Sequence, residues 1–134
     1  MKKSNYYLID ASKQPLGRIA TKVAVLLRGK SNPNFRPNVL SNNVVIVINA
    51  AAVRLSGSKS LSKIYTRYTG FPGGIKTQTF STLRKSNPAA ILRHAVRGML
   101  PKNRLTSAWL SNLKIITDNN HPYNKGEKII EIEE

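Results

Sequence analysis

Val44-Val45-Ile46-Val47-Ile48 is an unbroken run of β-branched residues. A strand with one wet face would alternate apolar and polar side chains, so this run reads as a strand buried on both faces, as in a parallel sheet. Upstream of it, Leu16, Ile19, Ala20, Val23, Ala24, Leu26 and Leu27 recur at helical spacing, while Arg18 and Lys22 stand four apart on the opposite side. This helix is expected to start near Pro15 and to stop at Gly29, which can take the left-handed C-cap conformation. Earlier still, Tyr6-Tyr7-Leu8-Ile9 reads as a first strand ended by Asp10, whose carboxylate is expected to cap the following turn. Strand, helix and buried strand compose a βαβ unit with a right-handed crossover, so the expected fold class is α/β.

Towards the C-terminus, Asn87 is expected to cap a helix with Pro88 at its first position. Ile91, Leu92, Ala95, Val96, Met99 and Leu100 form its apolar stripe, Arg93 and Arg97 lie on the other side, and Pro101 ends it. Lys102 and Arg104 lead into a short helix around Leu105 to Leu113 that carries Trp109, read as a core residue. Lys114-Ile115-Ile116-Thr117 reads as a further strand. A chain of 134 residues with 40% hydrophobic content supports one domain and one core.

Composition narrows the function classes. With no cysteine there is no disulfide, no thiolate nucleophile and no cysteine-based zinc site, and His94 and His121 are the only nitrogen ligands, so no metal, cofactor or small-molecule substrate is expected. No aliphatic run approaches the roughly 20 residues that span a bilayer, so no membrane is expected as partner. The basic start, Met1-Lys2-Lys3-Ser4-Asn5, runs into Tyr6 to Asp10 without a signal-peptide core.

Charge says more. There are 22 Lys and Arg against 6 Asp and Glu, and residues 11–117 hold 18 basic residues and no acidic one. A merely solvated surface would mix both signs. Self-repulsion on this scale disfavours the compact state unless a polyanion neutralises it, and a phosphate backbone is the commonest such partner.

Two segments concentrate the cations. Lys30 to Asn43 is a polar stretch with Pro33 and Pro37, flanked or occupied by Arg28, Lys30 and Arg36. Loops this long in a small domain are usually functional or disordered; an RNA-contacting extension is the favoured reading, and Phe35 adds an aromatic that can stack a base. The second segment runs from Arg54 to Lys76 through Lys59, Lys63, Tyr65, Arg67 and Tyr68, then Thr69-Gly70-Phe71-Pro72-Gly73-Gly74-Ile75-Lys76. Gly70, Gly73 and Gly74 permit positive φ and close backbone approach, with Lys76 beside them. Their spacing is neither a dinucleotide fingerprint nor a P-loop, and Gly29-Lys30-Ser31 lacks the upstream glycine, Ala24 standing there. On chemistry alone the cluster reads equally as a phosphate cradle or an ordinary turn.

These residues resemble a known family, the universal large-subunit ribosomal protein thirteen in its bacterial form. The resemblance is carried by Asp10 with Leu16-Gly17-Arg18-Ile19-Ala20, then Leu27-Arg28-Gly29-Lys30, Val45-Ile46-Val47-Ile48-Asn49-Ala50, Thr69-Gly70-Phe71-Pro72-Gly73-Gly74, and Val96-Arg97-Gly98-Met99-Leu100-Pro101-Lys102, in the family's order over about residues 6 to 117. It implies a three-layer α/β/α domain around a mostly parallel four-stranded sheet, with 118–134 as a divergent tail. It further implies binding to large-subunit ribosomal RNA during early assembly, neighbouring large-subunit proteins as partners, and a place in the ribosome of a bacterial cytoplasm or an organelle. Carried over residue by residue, the RNA contacts would be Arg18, Arg28, Lys30, Lys59, Lys63, Gly70, Gly73, Gly74, Lys76, Arg97 and Lys102; the basic segments add Arg36, Arg67, Arg93 and Arg104. Ser41-Asn42-Asn43 stands where the family usually has acids, and Tyr68 where it commonly has histidine.

Two competing classes are a non-ribosomal RNA-binding factor or RNA-modifying enzyme, and a basic membrane-surface or chaperone-like binder. The enzyme needs a general base, and residues 11–117 offer no carboxylate, no cysteine and only His94. The surface binder needs the helix from Leu16 to Leu27 exposed, whereas strands on both sides of it favour a packed one.

Overall fold

The computed structural model describes residues 4–57, 62–123 and 129–132. In chain order these form β1 (Asn5–Asp10), α1 (Leu16–Arg28), β2 (Asn43–Ile48), a 3-10 turn (Ala50–Ala52), β3 (Ile64–Tyr68), β4 (Ile75–Thr79), α2 (Phe80–Ser86), α3 (Pro88–Met99), α4 (Thr106–Ser111), β5 (Leu113–Ile115) and β6 (Ile129–Ile132). One sheet has the order β5-β2-β1-β6 with every neighbour parallel. Helices pack on it, and the architecture is an α/β fold consistent with the expected three-layer α/β/α arrangement.

The β-branched run lies where its composition puts it. β2 pairs with β1 from Asn5↔Asn43 to Asp10↔Ile48. Val45 and Val47 face one way with Ile9, into a core that α1, α3 and Trp109 complete, while Ile46 and Ile48 are buried on the other face. The stripe of α1 from Leu16 to Leu27 is buried throughout, which removes the exposed helix that a membrane-surface binder requires. Gly29 closes α1 with φ 77°, and its N–H bonds Leu26 O at 3.1 Å. A side chain there would meet Ser41 Cβ at 2.8 Å, so both conformation and space select glycine. Trp109 is 1% exposed, as expected of a core residue.

Several expectations need correction. Asn87 precedes α3, and Pro88 starts it, but the Asn87 side chain makes no capping bond: the residue also ends α2, where its N–H is taken by Leu83 O at 2.8 Å. Met99 does not join the buried stripe; it is 45% exposed and its sulfur accepts from the Thr21 hydroxyl at 3.5 Å. The strand expected at 114–117 is Leu113–Ile115, extended by Ile116 N–H to Val47 O at 2.8 Å. The short helix is Thr106–Ser111, inside the wider span expected. The tail is not only an appendage, because Ile129–Ile132 pairs with β1 from Tyr6↔Ile129 to Ile9↔Ile132 as the fourth strand. Outside the main sheet, β3 and β4 make an antiparallel hairpin, which the sequence pattern of this basic segment does not announce.

Asp10 caps its turn as expected. It accepts from Ser12 N–H at 2.9 Å and Ser12 hydroxyl at 2.6 Å, and Asn49 Nδ2 donates to it at 3.0 Å, tying the ends of β1 and β2 together. Burial raises its pKa, but these hydrogen bonds and nearby Lys13 outweigh that and hold it below the usual carboxylate value.

Candidate nucleic-acid interface

The helix α1 separates the predicted cations into two groups. Arg18 is in its first turn and Arg28 in its last, and ten residues at about 1.5 Å each put them roughly 15 Å apart along the axis.

At the first-turn end, an open cavity of about 600 Å³ is lined by Arg18, Lys63, Tyr65 and His94. His94 stands edge-on to Tyr65, ring centroids 5.4 Å apart and planes at 83°. Lys63 Nζ lies 5.6 Å from the same Tyr65 ring, and burial pushes the Tyr65 phenol pKa up. His94 also lines the next cavity, of about 650 Å³, together with Arg97, Gly98, Lys102 and Asn103. Packing of α1 on α3 thus joins Arg18, Lys63, His94, Arg97 and Lys102 into one cationic surface, although up to 84 positions separate them in the chain. Arg104 is exposed just beyond it. Arg93 is exposed too, but its Nη1 donates to Leu110 O at 3.4 Å and ties α3 to α4.

The hairpin carries further cations of its own. Arg67 pairs directly with Lys76, and Tyr68 with Ile75. Two cations on facing residues repel each other, and nothing in residues 11–117 supplies a carboxylate between them. At the tip, Gly70 and Gly73 have φ of 91° and 72°. Gly74 has ordinary backbone, yet a Cβ on it would stand 1.9 Å from Thr69 Oγ1. All three glycines are therefore required by the turn itself, which Thr69 N–H to Gly74 O and Gly74 N–H to Phe71 O close at 2.9 Å each. The turn reading of this cluster accounts for its glycines, and the cations beside it remain free to act. The hairpin also exposes Ile64, Tyr68 and Ile75, with Phe71 at the tip 74% exposed.

At the last-turn end of α1, Arg28 and Arg36 line a cavity of about 340 Å³ with the loop that follows. Lys30 is exposed beside it and does not line it. Lys59 lies outside the described residues.

Two glycines that the sequence reading does not count among the contacts also belong here. Gly17 and Gly98 sit in helices, need no positive φ, and a Cβ on either would meet nothing within 4 Å. Both border the cationic cavities. Glycine weakens a helix, and nothing within the described chain requires it at either place. The signal that could have found them is a glycine inside each helical pattern.

Among the described residues no group of three His, Asp or Glu side chains could hold a metal, and no helix is long and apolar enough to cross a membrane. The arrangement of exposed cations suits anions.

Known proteins resemble this chain over most of its length. The family model described as ribosomal protein L13 matches residues 4–122. Large ribosomal subunit protein uL13 of Treponema pallidum is 48% identical over 118 residues, covering 88% of this chain and 83% of its own. The proteins of the same name from Deinococcus radiodurans, 46% identical over 119 residues (89% and 68% covered), and from a Cyanothece species, 45% over 118 residues (88% and 79%), are similarly related.

Proposed function

The chain belongs to the ribosomal protein L13 family, and from that premise we infer that it is a structural constituent of the large ribosomal subunit and not an enzyme. It works by binding large-subunit ribosomal RNA and holding it during early subunit assembly, beside neighbouring large-subunit proteins, in the ribosome of a bacterial-type cytoplasm. One observation carries the RNA reading: 18 cations occupy residues 11–117 without one carboxylate, and at Arg67 and Lys76 two of them face each other across a hairpin. A fold tolerates such a juxtaposition when a polyanion supplies the missing charge.

In this reading Arg18, Lys63, Arg97 and Lys102 neutralise phosphates along the α1–α3 surface, Arg67 and Lys76 do so from the hairpin, and Arg28, Lys30 and Arg36 from the far end of α1. Gly70, Gly73 and Gly74 shape the hairpin tip that brings its cations forward. The test is the salt dependence of binding to large-subunit rRNA. Arg28→Ala, Lys76→Ala and Arg97→Ala should each flatten the slope of log K against log salt by about 0.7–0.9 for every phosphate left without its cation. An unchanged slope in all three would remove these residues from the interface. Lys76→Ala should also leave the melting temperature of the free protein unchanged or higher, because Arg67 is freed of a repelling neighbour.

A further inference from the structure

We propose that the cavity at the C-terminus of α1 is a pocket for one unstacked nucleotide, its base lying on Phe35; this rests on the RNA-binding reading and names what one part of the interface recognises. The pocket is built before any ligand arrives. Its loop has neither strand nor helix, yet consecutive turns shape it: Asn32 N–H to Gly29 O at 3.0 Å, Phe35 N–H to Asn32 O at 3.1 Å, and Val39 N–H to Arg36 O at 3.2 Å. The loop is then pinned to the helix. Asn43, 1% exposed, donates from Nδ2 to Leu26 O at 2.8 Å, and the Ser41 hydroxyl donates to Leu27 O. These bonds satisfy carbonyls that a helix end leaves without partners, so the loop shape is part of the fold, and little ordering remains to oppose binding.

Three features converge on the cavity of about 340 Å³. The first is Phe35, half-buried, with Arg28 Cζ 5.7 Å from its ring centroid. Phe35 also borders a second hollow of about 460 Å³ with Asn34 and Arg36. The second is Arg28 Nε, which is shielded from solvent and has no hydrogen-bond partner among the described residues. A buried N–H on a cation without an acceptor is costly, and no described residue supplies one here. The third is the lining of amides, Asn5, Asn32 and Asn42 among them. A bare phosphate needs cations and has no use for an aromatic ring or a rank of amides. A carboxylate ligand leaves Phe35 idle, and an apolar ligand strands the amides and the guanidinium. A nucleotide satisfies all three: its base offers a face to Phe35 and a donor and acceptor edge to the amides, and its oxygens accept from Arg28 and Arg36. Amides read base edges, so this is the part of the interface able to distinguish one base from another.

The same chemistry is available from RNA and from a free mononucleotide, and the test separates them. The full chain bound to large-subunit rRNA is irradiated at short ultraviolet wavelength, digested with ribonuclease and trypsin, and analysed by mass spectrometry. A single-nucleotide adduct is expected on the peptide that begins at Ser31. Phe35→Leu, which keeps apolar bulk and removes the π face, should abolish that adduct and weaken binding by roughly five- to a hundredfold with the salt slope unchanged, while Phe35→Tyr should retain both. Melting curves confirm that the variants are folded. Wild-type affinity in Phe35→Leu, or adducts only on other peptides, would overturn the proposal. So would displacement of the adduct by millimolar nucleoside monophosphate while the RNA stays bound, which would assign the pocket to free nucleotides. A silent Phe35 with flattened slopes in Lys76→Ala and Arg97→Ala would reject the pocket alone and leave the RNA-binding reading standing.

Discussion

Replacing Gly98 by alanine is expected to stabilise the free protein and weaken its hold on RNA. Gly98 is the penultimate residue of α3, with ordinary helical backbone, and a Cβ on it meets no atom within 4 Å. Alanine is favoured over glycine by about 0.8–1.0 kcal/mol inside a helix and by about half that in a last turn. A gain of about 0.5 kcal/mol raises Tm by about 2 °C in a domain of this size. The added methyl projects beside Arg97 and Lys102, where the backbone of bound RNA would pass. Inserting a methyl into a closely packed interface costs about 1–3 kcal/mol, or roughly five- to a hundredfold in affinity. Thermal melts of the free protein and titrations onto large-subunit rRNA at fixed salt measure the two effects separately. A lower Tm would show that the fold itself needs the glycine, and unchanged affinity would show that RNA does not fill the space above it; either result refutes the reasoning.

Two further outcomes test the fold. Because the folded-state pKa of Asp10 lies below the ordinary 3.8, its ionised form adds stability that is fully present above that value and is lost as pH falls through the folded pKa. The Tm advantage of the wild type over Asp10→Asn should therefore be constant from neutral pH down to about 5 and vanish in more acidic buffer, and an advantage independent of pH would contradict the role of the carboxylate. Trp109→Ala empties a site that is 1% exposed and should cost about 3–5 kcal/mol in denaturant unfolding; a loss under about 1 kcal/mol would mean that the indole does not brace the core.

The elements legible in the sequence were those that bury a face. β2 announces itself because both its faces are covered, α1 because seven side chains follow helical spacing into the core, and Gly29 because a left-handed cap tolerates little else. The hairpin carries no such signal: of Ile64–Tyr68 and Ile75–Thr79 only Tyr65 is partly buried, so no alternation marks the strands. β6 is hidden similarly, since Ile129–Ile132 contains Glu131, sits in an acidic tail and borrows its order from pairing with β1. Met99 follows the helical spacing of its neighbours but points past the edge of the core. For the interface, residue types were legible and their grouping was not. Arg18 and Arg97 share a surface only because α1 packs on α3, whereas Arg18 and Arg28, on one helix, serve different ends of the molecule. The amide-lined cavity was legible only as a polar loop with one aromatic, because its shape depends on Asn43 and Ser41 folding back onto the end of α1.

The central claim, that this chain is a permanent part of the large ribosomal subunit held there by RNA, is tested most directly by sedimenting lysate through sucrose gradients at low and high salt while following the chain by mass spectrometry. Co-migration with large-subunit particles that survives the high-salt wash is the expected result. Recovery in the light fractions at both salts would contradict it.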